Sequence, residues 1–126
     1  MKKGLIVCLS FLTLSLYAQD NIQWRGTDRS GIYKETGLLK SWPADGPALL
    51  WLYDGLGQGH SSVAIDSDKI YLTGMTDGTG SIYVFDMQGK LLNKKEYGPD
   101  WNTNYHGPRG TVTVNSGKIY LVSGMG

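Results

Sequence analysis

From Ser61 onward, apolar and polar residues alternate in short runs broken by Gly, Asp and Ser, and two of these runs nearly repeat. "SSVAIDSDKIYLTG" begins at Ser61 and "GTVTVNSGKIYLVS" begins at Gly110. At an offset of 49 residues, Val63, Ser67, Lys69, Ile70, Tyr71 and Leu72 meet Val112, Ser116, Lys118, Ile119, Tyr120 and Leu121. No stretch holds apolar residues at helical spacing for three turns, whereas Val, Ile, Tyr and Thr fill the runs between turn residues. The pattern predicts an all-β chain.

"ALLWLY" (Ala48 to Tyr53) reads as a strand between a Pro and Gly cluster and the turn-rich "DGLGQG". "SSVAID" (Ser61 to Asp66) and "KIYLTG" (Lys69 to Gly74) form a hairpin about Ser67 and Asp68, a turn occupied in the second copy by Ser116 and Gly117. Asp66 and its counterpart Asn115 suit the left-handed or side-chain-bonded backbone of such turns. The chain then crosses "MTDGTG" into "SIYVFD" (Ser81 to Asp86), turns at "MQG" and leaves through "KLLNKKEY" (Lys90 to Tyr97). After a linker from Gly98 to Arg109 the order of strands begins again.

Four short antiparallel strands repeating at this period are the sequence pattern of a β-propeller blade. A single blade has two apolar faces and needs a neighbour on each. A closed ring of six to eight blades takes on the order of 250 to 400 residues. The chain therefore reads as one full blade plus parts of two others, an N-terminal piece of a longer protein broken off inside a blade at Gly126. Expressed alone, it is expected to fold poorly or aggregate, and a sharp cooperative melt of a monomer would contradict that.

The N-terminus adds a different kind of segment. Lys2 and Lys3 precede an apolar run from Leu5 to Leu16, and Ala18 supplies a small residue, which together predict a signal peptide over residues 1–18. The run is short for a bilayer, so an uncleaved anchor is the lesser alternative; a lipoprotein would need Cys8, but Val7 before it is not small. Residues 19–47 form a leader and 48–126 the blades. Cleavage removes the single cysteine and leaves ten Lys and Arg against eleven Asp and Glu. No disulfide, no stable membrane span and no basic face follow, so the expected setting is periplasmic or secreted and nucleic acid is not an expected partner.

At these residues the chain resembles the pyrroloquinoline-quinone-like (PQQ-like) β-propeller repeat proteins of bacterial cell envelopes. "AIDSDKIYLTG" followed by "GSIYVFDMQGKLL" is similar to their repeat, in which a hairpin with Tyr on its second strand leads to a third strand ending in Asp and then a Gly turn. The leader from Trp24 to Ile65 is similar to that of a subfamily taking in quinoprotein alcohol dehydrogenases and relatives of the outer-membrane assembly factor BamB. One departure is Asn93, where the repeat often has Trp four residues after the turn Gly. The resemblance implies either a propeller without cofactor that docks a protein or glycan partner, or a PQQ-dependent alcohol or sugar dehydrogenase holding the quinone with calcium at the ring centre. Fold alone does not choose between them; the expectation placed first is a binding or scaffold propeller.

The candidate chemistry lies in "WNTNYHGPRGT", where Trp101, Tyr105, His106 and Arg109 precede the next blade's first strand. Connections of this kind line the axis of a propeller, which makes His106 and Arg109 the candidate cofactor-binding residues. The competing reading has Arg109 bonding to the backbone of a neighbouring blade and the aromatics filling the gap between blades. His60, in the equivalent "GQGHSS", carries the same two readings. No catalytic residue is assigned. Two His in different repeats do not make a metal site, and Asp66, Asp68, Asp77 and Asp86 read as turn residues rather than calcium ligands.

Overall fold

A computed structural model describes residues 22–26 and 28–126; the segment read as a signal peptide, with its cut after Ala18, lies outside them. Strands β1 (Ala64–Asp66), β2 (Lys69–Thr76), β3 (Thr79–Asp86) and β4 (Leu91–Pro99) form one antiparallel sheet in chain order. Strands β5 (Thr113–Asn115) and β6 (Lys118–Tyr120) form a second, two-stranded sheet. The described residues contain no helix.

Turn chemistry sets these boundaries. Asp77 and Gly78 have φ of +50° and +78°, the two positive values of a type I′ turn, and they pair Thr76 directly with Thr79. Strands β2 and β3 therefore run further into "MTDGTG" than the alternation alone suggests. Ser116 and Gly117, between β5 and β6 where the first copy has Ser67 and Asp68, also both have positive φ, at +52° and +70°. The left-handed residue of the first hairpin is Ser67 (φ +56°), one place beyond Asp66, and the carboxylate of Asp66 instead accepts the Ser67 hydroxyl at 3.1 Å. Between β3 and β4, the Asp86 carboxylate accepts the amides of Gln88 and Lys90 at 3.0 and 2.8 Å, closing a turn in which Gly89 has φ of +83°.

Alternation across the ladder gives the first sheet two apolar faces. Ala64, Tyr71 and Val84 share one face through the pairs Ala64↔Tyr71 and Tyr71↔Val84. Ile70, Leu72, Tyr83 and Phe85 share the other through Ile70↔Phe85 and Leu72↔Tyr83. Each face builds a core. On the first, Ala64 and Tyr71 are buried against Val112 and Val114 of the second sheet, with Ile22, Ile82, Val84 and Leu121 alongside. On the second, Ile70, Tyr83 and Phe85 are covered by Trp51, Tyr53 and Leu56. The Tyr53 and Phe85 rings meet edge to face at 4.8 Å, a geometry worth about 0.5–1.5 kcal/mol beyond the area buried.

"ALLWLY" is not a strand, because among the described residues no neighbour pairs with it in a ladder of hydrogen bonds. Its side chains still alternate: Trp51 and Tyr53 turn toward the sheet, while Leu50 and Leu52 are exposed. Trp51 is fixed by its indole N–H, which donates to the Met87 carbonyl at 3.2 Å, and by its seat over Gly89, where a Cβ would lie 2.5 Å from the ring. Further upstream, Ile22 exchanges two backbone hydrogen bonds with Val114, at 2.9 and 2.8 Å, and so covers one edge of β5.

The joint between the sheets follows the period of the sequence. The amide of Ser62 donates to the Thr111 hydroxyl oxygen at 2.8 Å, linking two residues 49 positions apart. The Thr73 hydroxyl donates to the Gly110 carbonyl at 3.1 Å beside it. Strand β1 and its sequence counterpart β5 thus lie side by side.

Candidate functional site

The connections into β1 and β5 are held together by backbone-to-backbone contact that only glycine permits. Gln58 and Met75 exchange hydrogen bonds at 2.9 and 2.8 Å, which fastens the first connection to β2. Gly57, at φ of +74°, sits so close that a Cβ would come within 2.2 Å of the Met75 carbonyl oxygen. The second connection lies on the first: the His60 amide donates to the Pro108 carbonyl at 2.8 Å, and a Cβ on Gly107 would lie 2.5 Å from the Gln58 carbonyl oxygen. Gly107 and Pro108 are buried at this contact.

The two stacked connections border an open cavity of about 500 Å³, lined by Gly57, Gln58, Gly59, His60, Tyr105 and His106. His106 and His60, from loops far apart in the chain, share this cavity. Arg109 does not line it. Its guanidinium donates to the carbonyls of Asn104 and Tyr105, both at 3.3 Å, and stands 5.8 Å from the centre of the Trp101 ring. The Trp101 indole N–H also donates to the Asn104 carbonyl, at 2.8 Å. Arg109 and Trp101 therefore hold the shape of their own loop, in which Tyr105 is left-handed at φ of +46° and exposed. The backbone Arg109 bonds belongs to that loop rather than to a neighbouring sheet.

The cavity offers imidazoles, a phenol, an amide and the exposed backbone of glycine. A quinone bearing carboxylates needs cationic partners, and calcium needs several oxygen ligands. No Arg, Lys, Asp or Glu lines the cavity, and among the described residues no three His, Cys, Asp or Glu are placed to hold a metal ion. These residues do not fit that cofactor.

A second polar cluster escaped the sequence reading. Asp100 is buried beyond the end of β4 and accepts the Tyr97 hydroxyl, the Trp101 amide at 2.7 Å and the Gly124 amide at 2.8 Å. Its own amide donates to the Gly78 carbonyl at 3.1 Å. One residue thereby ties the β2–β3 turn through its amide, and the exit of β4 and the chain beyond β6 through its carboxylate. Burial, then the bond to Asp100, holds the Tyr97 hydroxyl well above the ordinary tyrosine range. The one signal in the sequence was an Asp between Pro99 and Trp101 with no turn to make; nothing in the pattern pointed to Gly124.

Among the described residues no helix is long and apolar enough to cross a membrane. No family model matches the chain, and comparisons with curated proteins and with solved structures return no match.

Proposed function

We propose that this chain forms blades of an extracytoplasmic β-propeller of the PQQ-like repeat class, and that its work is binding or scaffolding rather than catalysis. The observation that carries the architecture is the bond from Ser62 to Thr111: residues one sequence period apart touch at the joint between sheets. Stacked blades of a propeller require that relation, since each unit meets its neighbour as the last one did. The first sheet, apolar on both faces and covered on both, has the environment of a blade between neighbours.

Binding is favoured over chemistry by the make-up of the cavity between the connections. His60, His106, Tyr105 and the glycine backbone supply hydrogen-bond donors and acceptors and an aromatic ring, suited to a polar protein segment or a glycan. Oxidation of an alcohol would need a carboxylate base within hydrogen-bond reach of the hydroxyl, and no carboxylate lines this cavity.

The deciding experiment supplies the purified protein with PQQ and calcium and follows dye reduction across a panel of alcohols and sugars, with calorimetry to detect quinone binding. Neither quinone uptake nor cofactor-dependent reduction is expected. Quinone binding with turnover of any substrate would replace this reading with that of a quinone-dependent dehydrogenase.

A further inference from the structure

The antiparallel order of the first sheet brings several separate segments to one of its ends. Thr79 pairs with Pro99, so the β2–β3 turn and the exit of β4 lie together, and the bridge between Gln58 and Met75 adds the connection into β1. A second open cavity, of about 380 Å³, lies at this end between Gln58, Thr76, Asp77 and Asn102. It shares Gly57 and Gln58 as a wall with the cavity of His60 and His106. Among the described residues, the side chains of Gln58, His60, Asp77, Asn102 and His106 make no hydrogen bond to the protein. Other carboxylates of the first unit behave differently. Those of Asp86 and Asp100 accept backbone amides, whereas that of Asp77 accepts none and is exposed.

We propose that this end of the sheet binds a neutral glycan lying across Gly57 and Gln58, its hydroxyls bonded by His60 and His106 on one side and by Asp77 and Asn102 on the other. This deepens the binding reading of the cavity between the connections and rests on it. Charge narrows the ligand first. Among the described residues, Asp77 is the one formally charged residue lining either cavity, so phosphate and carboxylate groups are repelled rather than held. Backbone pairing narrows it further: an extended peptide adds to a sheet through unpaired amides and carbonyls, but here Gln58 and Met75 bond to each other, His60 to Pro108 and Asp100 to Gly78. What remains is side-chain amides, imidazoles and one carboxylate, which between them donate to and accept from hydroxyl groups. Gly57 and Gly78, at φ of +74° and +78°, line the second cavity with bare backbone that leaves room for a flat sugar ring. Tyr105 lines the first with a ring on which sugar C–H groups can stack. Both cavities fall in the range of about 300–1,000 Å³ usual for small-ligand sites.

The two imidazoles are the only ones in the chain, so proton NMR of their ring C–H signals reports on the site directly. The purified protein is titrated with maltotetraose, cellotetraose, mannotetraose and N-acetylchitotetraose, and both signals are expected to move with at least one of the four. Tetragalacturonate and a Gly-Ser octapeptide should leave them in place. Asp77→Asn keeps the left-handed turn, which Asn suits as well as Asp, and should retain the parent's β-sheet circular dichroism. It is expected to weaken glycan binding about tenfold through loss of a charge-assisted hydrogen bond; Asn102→Ala, at an exposed position in the linker, replaces it should the sheet signal change. Unmoved signals with all four sugars, a larger response to the acidic sugar or to the peptide, or full affinity in the variant overturns the proposal. Silence from the sugars without quinone turnover leaves the scaffold reading in place, whereas quinone turnover removes that reading whatever the sugars do.

Discussion

Two tyrosines in the first unit carry their hydroxyls into opposite circumstances. The Tyr83 hydroxyl is buried with no hydrogen-bond partner among the described residues, an arrangement that costs about 1–3 kcal/mol of unrecovered hydration. Tyr83→Phe should accordingly leave stability unchanged or raise it by up to about 1 kcal/mol, read from urea unfolding; a loss of that size would reveal a partner. The Tyr97 hydroxyl is donated to Asp100, and removing it in Tyr97→Phe should cost about 1.5–3 kcal/mol at neutral pH, the range for bonds to charged groups. Its proton is held more tightly folded than unfolded. The stability this confers is therefore complete below the unfolded value near 10 and is lost as pH rises beyond it. Unfolding midpoints measured from pH 8 upward should fall more steeply above about 10 in the parent than in Tyr97→Phe.

The elements show how far a pattern of residues can be read. Four strands between Ala64 and Pro99 were legible because alternation and turn residues agree with one another there. Their ends were less so: the type I′ geometry at Asp77 and Gly78 lengthens both flanking strands, and this depends on backbone angles rather than polarity. "ALLWLY" has strand alternation without strand pairing, since a ladder depends on a neighbour that no local pattern specifies. Gly74 illustrates the same limit within β2. It lies against the leader so closely that a Cβ would sit 2.1 Å from the Leu56 carbonyl oxygen. Gly74→Ala must push that backbone away, and a loss of about 1–3 kcal/mol in urea unfolding is expected, with altered Trp51 fluorescence as the leader shifts.

For the molecule as a whole, the candidate site was half legible. The loops containing His60 and His106 stood out by their place before equivalent strands, but their union in one cavity depends on Gly107 resting on Gln58. Arg109 looked equally available for a ligand; the nearby carbonyls of Asn104 and Tyr105 hold it instead. The tie from Asp100 to Gly124 was not legible, being a contact between two units that differ in sequence at that point. Asp100→Ala should loosen the second sheet more than the first, and hydrogen exchange ought to quicken over residues 118–124 before it does in β2 and β3. Equal quickening in both sheets would mean that the two open as one unit.

The bond from Ser62 to Thr111 also bears on how such a chain could have grown. It joins the same place in successive repeats, so the surface a new unit would need already exists at the end of the old one. Tandem duplication of the DNA encoding a single period would lengthen the stack in register, with no complementary surface to be invented.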